Sequence, residues 1–338
     1  MGVFDELKMK SNVNKEVLEN EENVNISKDF QKYKEVSDEV KRITKITNYK
    51  IEITKEIPNI TDSKIGGVPY WDNTREYPKG KDGSNMILLV QINLDIEKFD
   101  KRLPQKGMLQ FFVENNFVSK NRPYYKVIYH SSINENVSVD DVLKLGIKSC
   151  LDADVSIIIE NEYKIQFKKN KESISYCDEF DLQQVFKKAY RKLFNSKNDK
   201  FYDDWEIWND NGYIIDDLSD GAGHKLFGYP HFCQYDIRNE LGDDILDDSQ
   251  DIGKAKSVND NGGSYMSWWP SASDMKKIEE EIKKKKEKRK IIYDTMILQL
   301  DSCKEFQWID GGQVNFFIDK RDLKKLNFED AIGNVDFY

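Results

Sequence analysis

The chain has 338 residues, 38% of them apolar and 12% aromatic, with a formal charge of −9 and a pI near 5.2. That length fits two domains and allows a core that needs no metal or disulfide staple. The acidic balance argues against nucleic acid as the main partner, because phosphate binders present a basic field.

The four cysteines, Cys150, Cys177, Cys233 and Cys303, form no Cys-x-x-Cys pair. The first residues show no basic-then-apolar leader pattern, and the longest strongly apolar run, Met86 to Val90, is too short for a bilayer. The expectation is a cytoplasmic protein with reduced thiols and no membrane partner.

In chain order, residues 1–48 read as a polar arm followed by one amphipathic helix. Phe30, Tyr33, Val36, Val40 and Ile43 recur at helical spacing. Tyr49, Ile51 and Ile53 then alternate with polar residues, as in a half-buried strand. Met86–Leu94 predicts a strand with Met86, Leu88, Val90, Ile92 and Leu94 on one face and Gln91 on the other. Strands are expected near 108–114 and 124–130, and a hairpin of 163–168 with 173–177. A helix over 181–195 carries an apolar stripe from Leu182 to Phe194, with Asp181 as its cap. Two acidic stretches follow, 199–220 with eight acids against one Lys and 236–251 with seven against one Arg. The run 276–290, nine basic and four acidic residues, reads as a charged, solvated helix or a docking surface.

Three blocks recur in the same order. Lys64–Pro69 parallels Lys225–Pro230, Leu88–Asn93 parallels Met296–Asp301, and Gly107–Val113 parallels Gly312–Ile318. The spacing between copies, 161, 208 and 205 residues, places an insertion between the first two blocks of the second copy. Such long periods exclude a solenoid and imply two related halves, 49–198 and 199–338, the second carrying an insertion at about 236–290. In each first block a Gly-x-Pro, Gly67–Pro69 or Gly228–Pro230, is a rigid turn in which Gly permits positive φ and Pro fixes the exit. In each second block a Gln, Gln91 or Gln299, stands in an apolar strand. If buried, each amide needs a partner, and backbone of a Gly-x-Pro loop is the expected one.

On these blocks the chain resembles the YwqG-like bacterial family, from about residue 50 onward. The match rests on Lys64–Pro69, the run at 88–93, Leu109–Phe112, His224–Pro230, Ile297–Asp301 and Asn315–Ile318. The resemblance implies an α+β fold dominated by antiparallel sheet with flanking helices. It carries no established reaction and points to accessory or toxin-neighbourhood roles.

Candidate chemistry is sparse. His224, His231 and Cys233 lie close in sequence as a partial zinc set, although His224 also suits a turn and Cys233 a core. Asp210-Asn211-Gly212 fails as a calcium loop, since Ile207 and Trp208 stand where ligands are required. Nucleophile elbows and phosphate loops are absent, and no cofactor is expected. Acidic pairs such as Asp203-Asp204 and Asp216-Asp217 read as solvated loop residues. Trp268 and Trp269 sit in a Gly-Ser-rich loop within the insertion, either folded over the core or exposed as an interaction surface. The leading expectation is a noncatalytic protein-binding module whose partner docks on 262–290. The alternative is a hydrolase or small-molecule enzyme using a cleft between the halves, with His224 and Gln234 as participants.

Overall fold

The computed structural model describes residues 28–115, 124–147, 149, 157–159, 161–178, 181–195, 200–234, 236, 238, 293–308 and 311–337. Most of the insertion, including Trp268, Trp269 and the charged run 276–290, lies outside them, as does the polar arm over 1–27. The chain divides into two compact units.

The first unit draws on residues 1–48, 169–222 and 228–231. Its helices are α1 (28–43), α3 (Leu182–Phe194), α4 (Lys200–Asp210) and α5 (Tyr213–Asp217). The α1 stripe buries Tyr33, Val36 and Val40, which pack with Phe186, Tyr190, Phe201 and Trp208. Phe30 and Ile43, at the ends of that stripe, stay exposed. Tyr33 meets Trp208 edge-on at 5.6 Å, an arrangement that suits the ring quadrupoles.

Most of the acidic stretch, over Lys200–Asp210 and Tyr213–Asp217, is helical rather than loop, and two of its acids are put to structural use. Asp217 accepts from Tyr33 (3.1 Å), Lys34 (2.9 Å) and Ser37 and pairs with Lys41 (2.7 Å), which holds its carboxyl well below the usual range despite opposing burial. Asp204 accepts from Lys32 and Tyr190. Asp181 precedes α3 as expected, yet its side chain makes no cap bond, because its backbone is already near-helical (φ −115°, ψ −19°) rather than extended.

The second unit draws on 49–168, 223–227 and 232–338. It holds β2 (Lys64–Ile65), β3 (Ile87–Asn93), β4 (Met108–Val113), β5 (Tyr125–His130), α2 (Val139–Lys144), β6 (Ile157–Ile159), β8 (Lys225–Leu226), β9 (Thr295–Asp301), β10 (Phe306–Trp308), β11 (Gln313–Ile318), α6 (Lys320–Leu323) and β12 (Ile332–Asp336). Two longer strands, β1 (Ile46–Ile53) and β7 (Tyr163–Glu172), complete the set. The expected hairpin over 163–177 does not form: 163–172 is one unbroken ten-residue strand, β7, and Asn170 stays within it, with no Gly or Pro in 169–172 to force a turn.

Instead of several sheets there is one antiparallel sheet of ten strands, ordered β12-β11-β9-β8-β1-β7-β2-β3-β4-β5, and a small β6–β10 pair. The two ends of that order meet, so the sheet is nearly closed into a barrel. Gly333 of β12 lies flat on the Tyr125 ring of β5, where a Cβ would come within 2.4 Å. Phe316 of β11 meets Tyr125 at 5.5 Å and Phe111 of β4 at 5.1 Å. Closure removes exposed strand edges and fills the interior with Leu89, Val90, Ile92, Phe111, Leu298, Val314 and Phe316.

Two hairpins of this barrel share a register. Gln91 faces Gln110 and Ile92 faces Leu109, while Gln299 faces Asn315 and Leu300 faces Val314. Each carries one extra residue at the same place, Leu89 between Leu88 and Val90, and Ile297 between Met296 and Leu298. The bulge corrects the simple alternation expected of Met86–Leu94. Met86 and Leu88 point outward to Trp71, Tyr77 and Phe112, whereas Val90, Ile92 and Leu94 enter the barrel. Phe112 and Phe317 are the outward aromatics of their strands, and Phe317 stacks on Phe232 at 6.0 Å.

Candidate functional site

The polar residues singled out by sequence lie where short strands β2 and β8 turn into the Gly-x-Pro loops. Lys64 faces Gln91 and Lys225 faces Gln299 across the ladder. After each short strand the chain enters the left-handed region, at Gly66 (φ 70°) and Gly67 (φ 73°), and at Phe227 (φ 60°) and Gly228 (φ 98°). Glycine is required at both second positions. A Cβ on Gly67 would come within 2.2 Å of the Glu162 carboxylate, and one on Gly228 within 2.0 Å of that of Glu172.

Glu162 also accepts from the buried Lys64 ammonium at 3.0 Å. In the first unit, Glu172 accepts from Tyr229 N and Asn48 Nδ2, both at 2.6 Å, which holds the chain beside Pro230. In the second unit, Arg102 is clamped by Asp100 and lies 3.9 Å over the Phe227 ring, a cation–π contact that supports the strained residue.

Gln91 is fully buried, and its amide bonds mainly to loop backbone, with Gln110 Nε2 also donating to its Oε1 at 3.3 Å. Its Oε1 accepts from Tyr70 N at 2.9 Å, next to Pro69, and its Nε2 donates to Ile60 O (2.7 Å) and Asp62 O (2.9 Å). Gln110 extends the clamp by donating to Tyr70 O at 2.8 Å, leaving its Oε1 to face His130 Nε2 at 2.9 Å. Because Gln110 uses its nitrogen on a carbonyl, the His130 ring is the donor in that bond. His130 is wedged edge-on against Trp71 (5.0 Å) and Tyr70 (5.5 Å).

Burial, reinforced by Arg75 and opposed by Asp72, pushes the His130 pKa down to about 4. An unfolded histidine titrates near 6.5, so between the two values the unfolded chain takes up a proton that the folded chain refuses. The contribution is fully present above pH ~6.5 and is lost as pH falls toward ~4, by on the order of 3 kcal/mol in all. Urea unfolding at pH 7 and pH 5 should show a smaller pH dependence for His130→Gln than for the parent chain.

Around Gln299 other side chains take part. Gln299 Nε2 donates to Gly223 O at 2.9 Å, and His224 Nδ1 accepts from Asp301 N at 3.0 Å while Asp301 accepts from Gly223 N. Burial lowers the His224 pKa against the opposing charges of Asp301 and Glu305. At the end of β12, Asp336 accepts from the amides of Cys233 and Gln234, the latter at 3.2 Å, so Gln234 enters through its backbone and its side chain is exposed.

The partial zinc set does not assemble. His224 bonds the Asp301 amide, Cys233 meets Asp336 through its backbone amide, and His231 turns to Cys177 (3.6 Å) and Asp220 O (3.1 Å). Among the described residues no three His, Cys, Asp or Glu side chains converge to hold a metal ion.

Sequence reasoning missed Glu162, Glu172, His130 and Asp336, which lie outside the recurring blocks. Gln110 had a signal, since it and Asn315 are matching polar residues inside the Phe-Phe strands.

The assembled geometry is a set of amides, imidazoles and carboxylates aimed at loop backbone. It defines an α+β protein built on a nearly closed antiparallel barrel, and among the described residues no helix is long and apolar enough to cross a membrane. The chain belongs to the DUF1963 family, a domain of unknown function, which it matches over residues 63–336. No curated protein matches it significantly.

Proposed function

We propose that this chain is a YwqG-like member of the DUF1963 family and works as a noncatalytic protein-binding module, accessory to a bacterial toxin or stress system. The observation that carries this reading is how the buried polar groups are used. Gln91, Gln110, His130, Gln299 and His224 bond to backbone or to one another, as fasteners do. We also infer that the barrel descends from an internal duplication, with halves 49–198 and 199–338. Shared registers, the matched bulges at Leu89 and Ile297, and the left-handed turns after Lys64 and Lys225 support this.

In this reading the partner docks on 262–290, where Trp268 and Trp269 supply aromatic anchors beside a Lys-rich run. The test is affinity purification of the full chain from its own cells, alongside a chain lacking 262–290 and a Trp268→Ala/Trp269→Ala variant. One stoichiometric protein, lost from both variants, is the expected result. Retention of that protein by the deletion, or substrate turnover abolished by His224→Ala, contradicts the reading.

A further inference from the structure

We propose that α3 and α4 form a self-complementary surface on which a second copy of this chain docks, the basic face of α3 in each copy lying on the acidic face of α4 in the other. The surface belongs to the first unit alone and is independent of the binding role above.

The two helices carry opposite charge. Leu182–Phe194 holds Lys187, Lys188, Arg191 and Lys192 and no acid, a local reversal in a chain of net charge −9. Lys200–Asp210 holds Asp203, Asp204, Glu206 and Asp210 against Lys200 alone. By their spacing Lys187, Lys188 and Arg191 share one face of α3, as Asp203, Glu206 and Asp210 share one face of α4.

These faces lie side by side. Phe186 meets Trp205 at 5.4 Å and, one turn on, Tyr190 meets Phe201 at 5.6 Å, so the helices run antiparallel with their rings turned inward. On the outer side of this seam the Lys187 ammonium bonds the Tyr202 hydroxyl and lies 4.1 Å over its ring.

The stripes are left over from packing within the unit. Asp204 is taken by Lys32 and Lys192 by Glu39, whereas Lys188, Arg191, Asp203, Glu206 and Asp210 are exposed and make no ion pair among the described residues. Tyr202 and Ile207, 40% and 37% exposed, add apolar surface beside them.

A partner of one charge sign, such as an anionic membrane or an acidic peptide, is repelled by one stripe. A second copy carries both. A two-fold axis between two copies, parallel to the seam, sets each α3 against α4 of the other, so every attraction is made twice. Helices of 11 and 13 residues are about 17 and 20 Å long and together about 20 Å wide, which keeps the contact below the roughly 1,000 Å² of a durable interface. The pairing is therefore weak and reversible, selected by charge more than by area. Net charge repels two copies at a distance but is screened beyond about 10 Å in ~0.1 M salt, while the stripes act at contact.

Sedimentation equilibrium of the full chain in ~0.1 M salt should show the apparent mass rising from monomer toward dimer over about 10–300 μM, and returning to monomer in ~1 M salt. Lys188→Glu/Arg191→Glu and Asp203→Lys/Glu206→Lys should each weaken self-association at least about tenfold, with the helical circular dichroism unchanged. An equimolar mixture of the two variants should recover the dimer, because each then supplies the charge the other lacks.

A parent chain that stays monomeric over that range would overturn the proposal. So would folded variants that associate as the parent does, or a mixture that stays monomeric. Should one variant fail to fold, the other variant and the salt response of the parent decide, and both must show the loss.

Discussion

Gly107→Ala is expected to cost about 3–5 kcal/mol, a large share of the roughly 5–15 kcal/mol of an ordinary domain. Gly107 has φ +88°, and a Cβ there would sit 2.0 Å from His130 O and 2.9 Å from the carbonyl carbon of Ser131. Both obstacles are backbone, so no rotamer relieves them. The same residue accepts from Leu94 N at 2.8 Å and donates to Asp95 Oδ1 at 2.9 Å, which ties it into the β3–β4 connection.

Gly146 is the control. It is equally left-handed (φ +74°) with open space around it, so Gly146→Ala should cost only about 1 kcal/mol. Gly312 heads β11 as Gly107 heads β4, and a Cβ there would lie 2.1 Å from Asp336 O. Gly312→Ala should thus behave like Gly107→Ala. Urea midpoints at constant slope measure all three. Equal losses at Gly107 and Gly146 would mean that the close approach to β5 is not what demands glycine.

Gln91→Leu should lose about 3 kcal/mol or more, although it places an apolar side chain of similar size in an apolar core. The substitution strands Tyr70 N in the core and takes the donor from two partly buried carbonyls, Ile60 O and Asp62 O. A buried orphan typically costs about 1–3 kcal/mol, and the gain in apolar burial offsets only part of that sum. Hydrogen exchange should find the Tyr70 amide markedly less protected in the variant, while the Phe227 amide, bonded to Ile297 O at 3.3 Å, keeps its protection. A loss under 1 kcal/mol would show that the clamp is dispensable.

Much of this was legible from the chain. Helical spacing located α1 from Tyr33, Val36 and Val40, and the recurring blocks located β2, β3, β4, β8, β9 and β11. The need of a buried Gln91 for a partner was readable too, down to the loop that supplies it.

What stayed hidden depends on groups brought together from far along the chain. Nothing local marks Leu89 as a bulge, because an apolar residue suits either face. Closure of the barrel turns on Gly333 meeting Tyr125, more than 200 residues away, and a lone glycine in a weak strand announces no such contact. Glu162 reads as an ordinary surface acid until its carboxylate is found beside Gly67 and Lys64. The acidic 199–220 stretch misled because charge alone suggests a solvated loop, whereas Asp204 and Asp217 are the acceptors that tie α1 to its neighbours.

Imidazole NMR across a pH titration tests most directly whether the buried polar groups are fasteners. His130 donates through Nε2 to Gln110 and His224 accepts through Nδ1 from Asp301, so both rings should appear as the Nε2–H tautomer. His130 should stay neutral until near pH 4, and His224 should take up its proton below the ordinary histidine value. A ring that titrates at 6.5 or above, or that exchanges freely between tautomers, would be a group available for chemistry and would contradict the account.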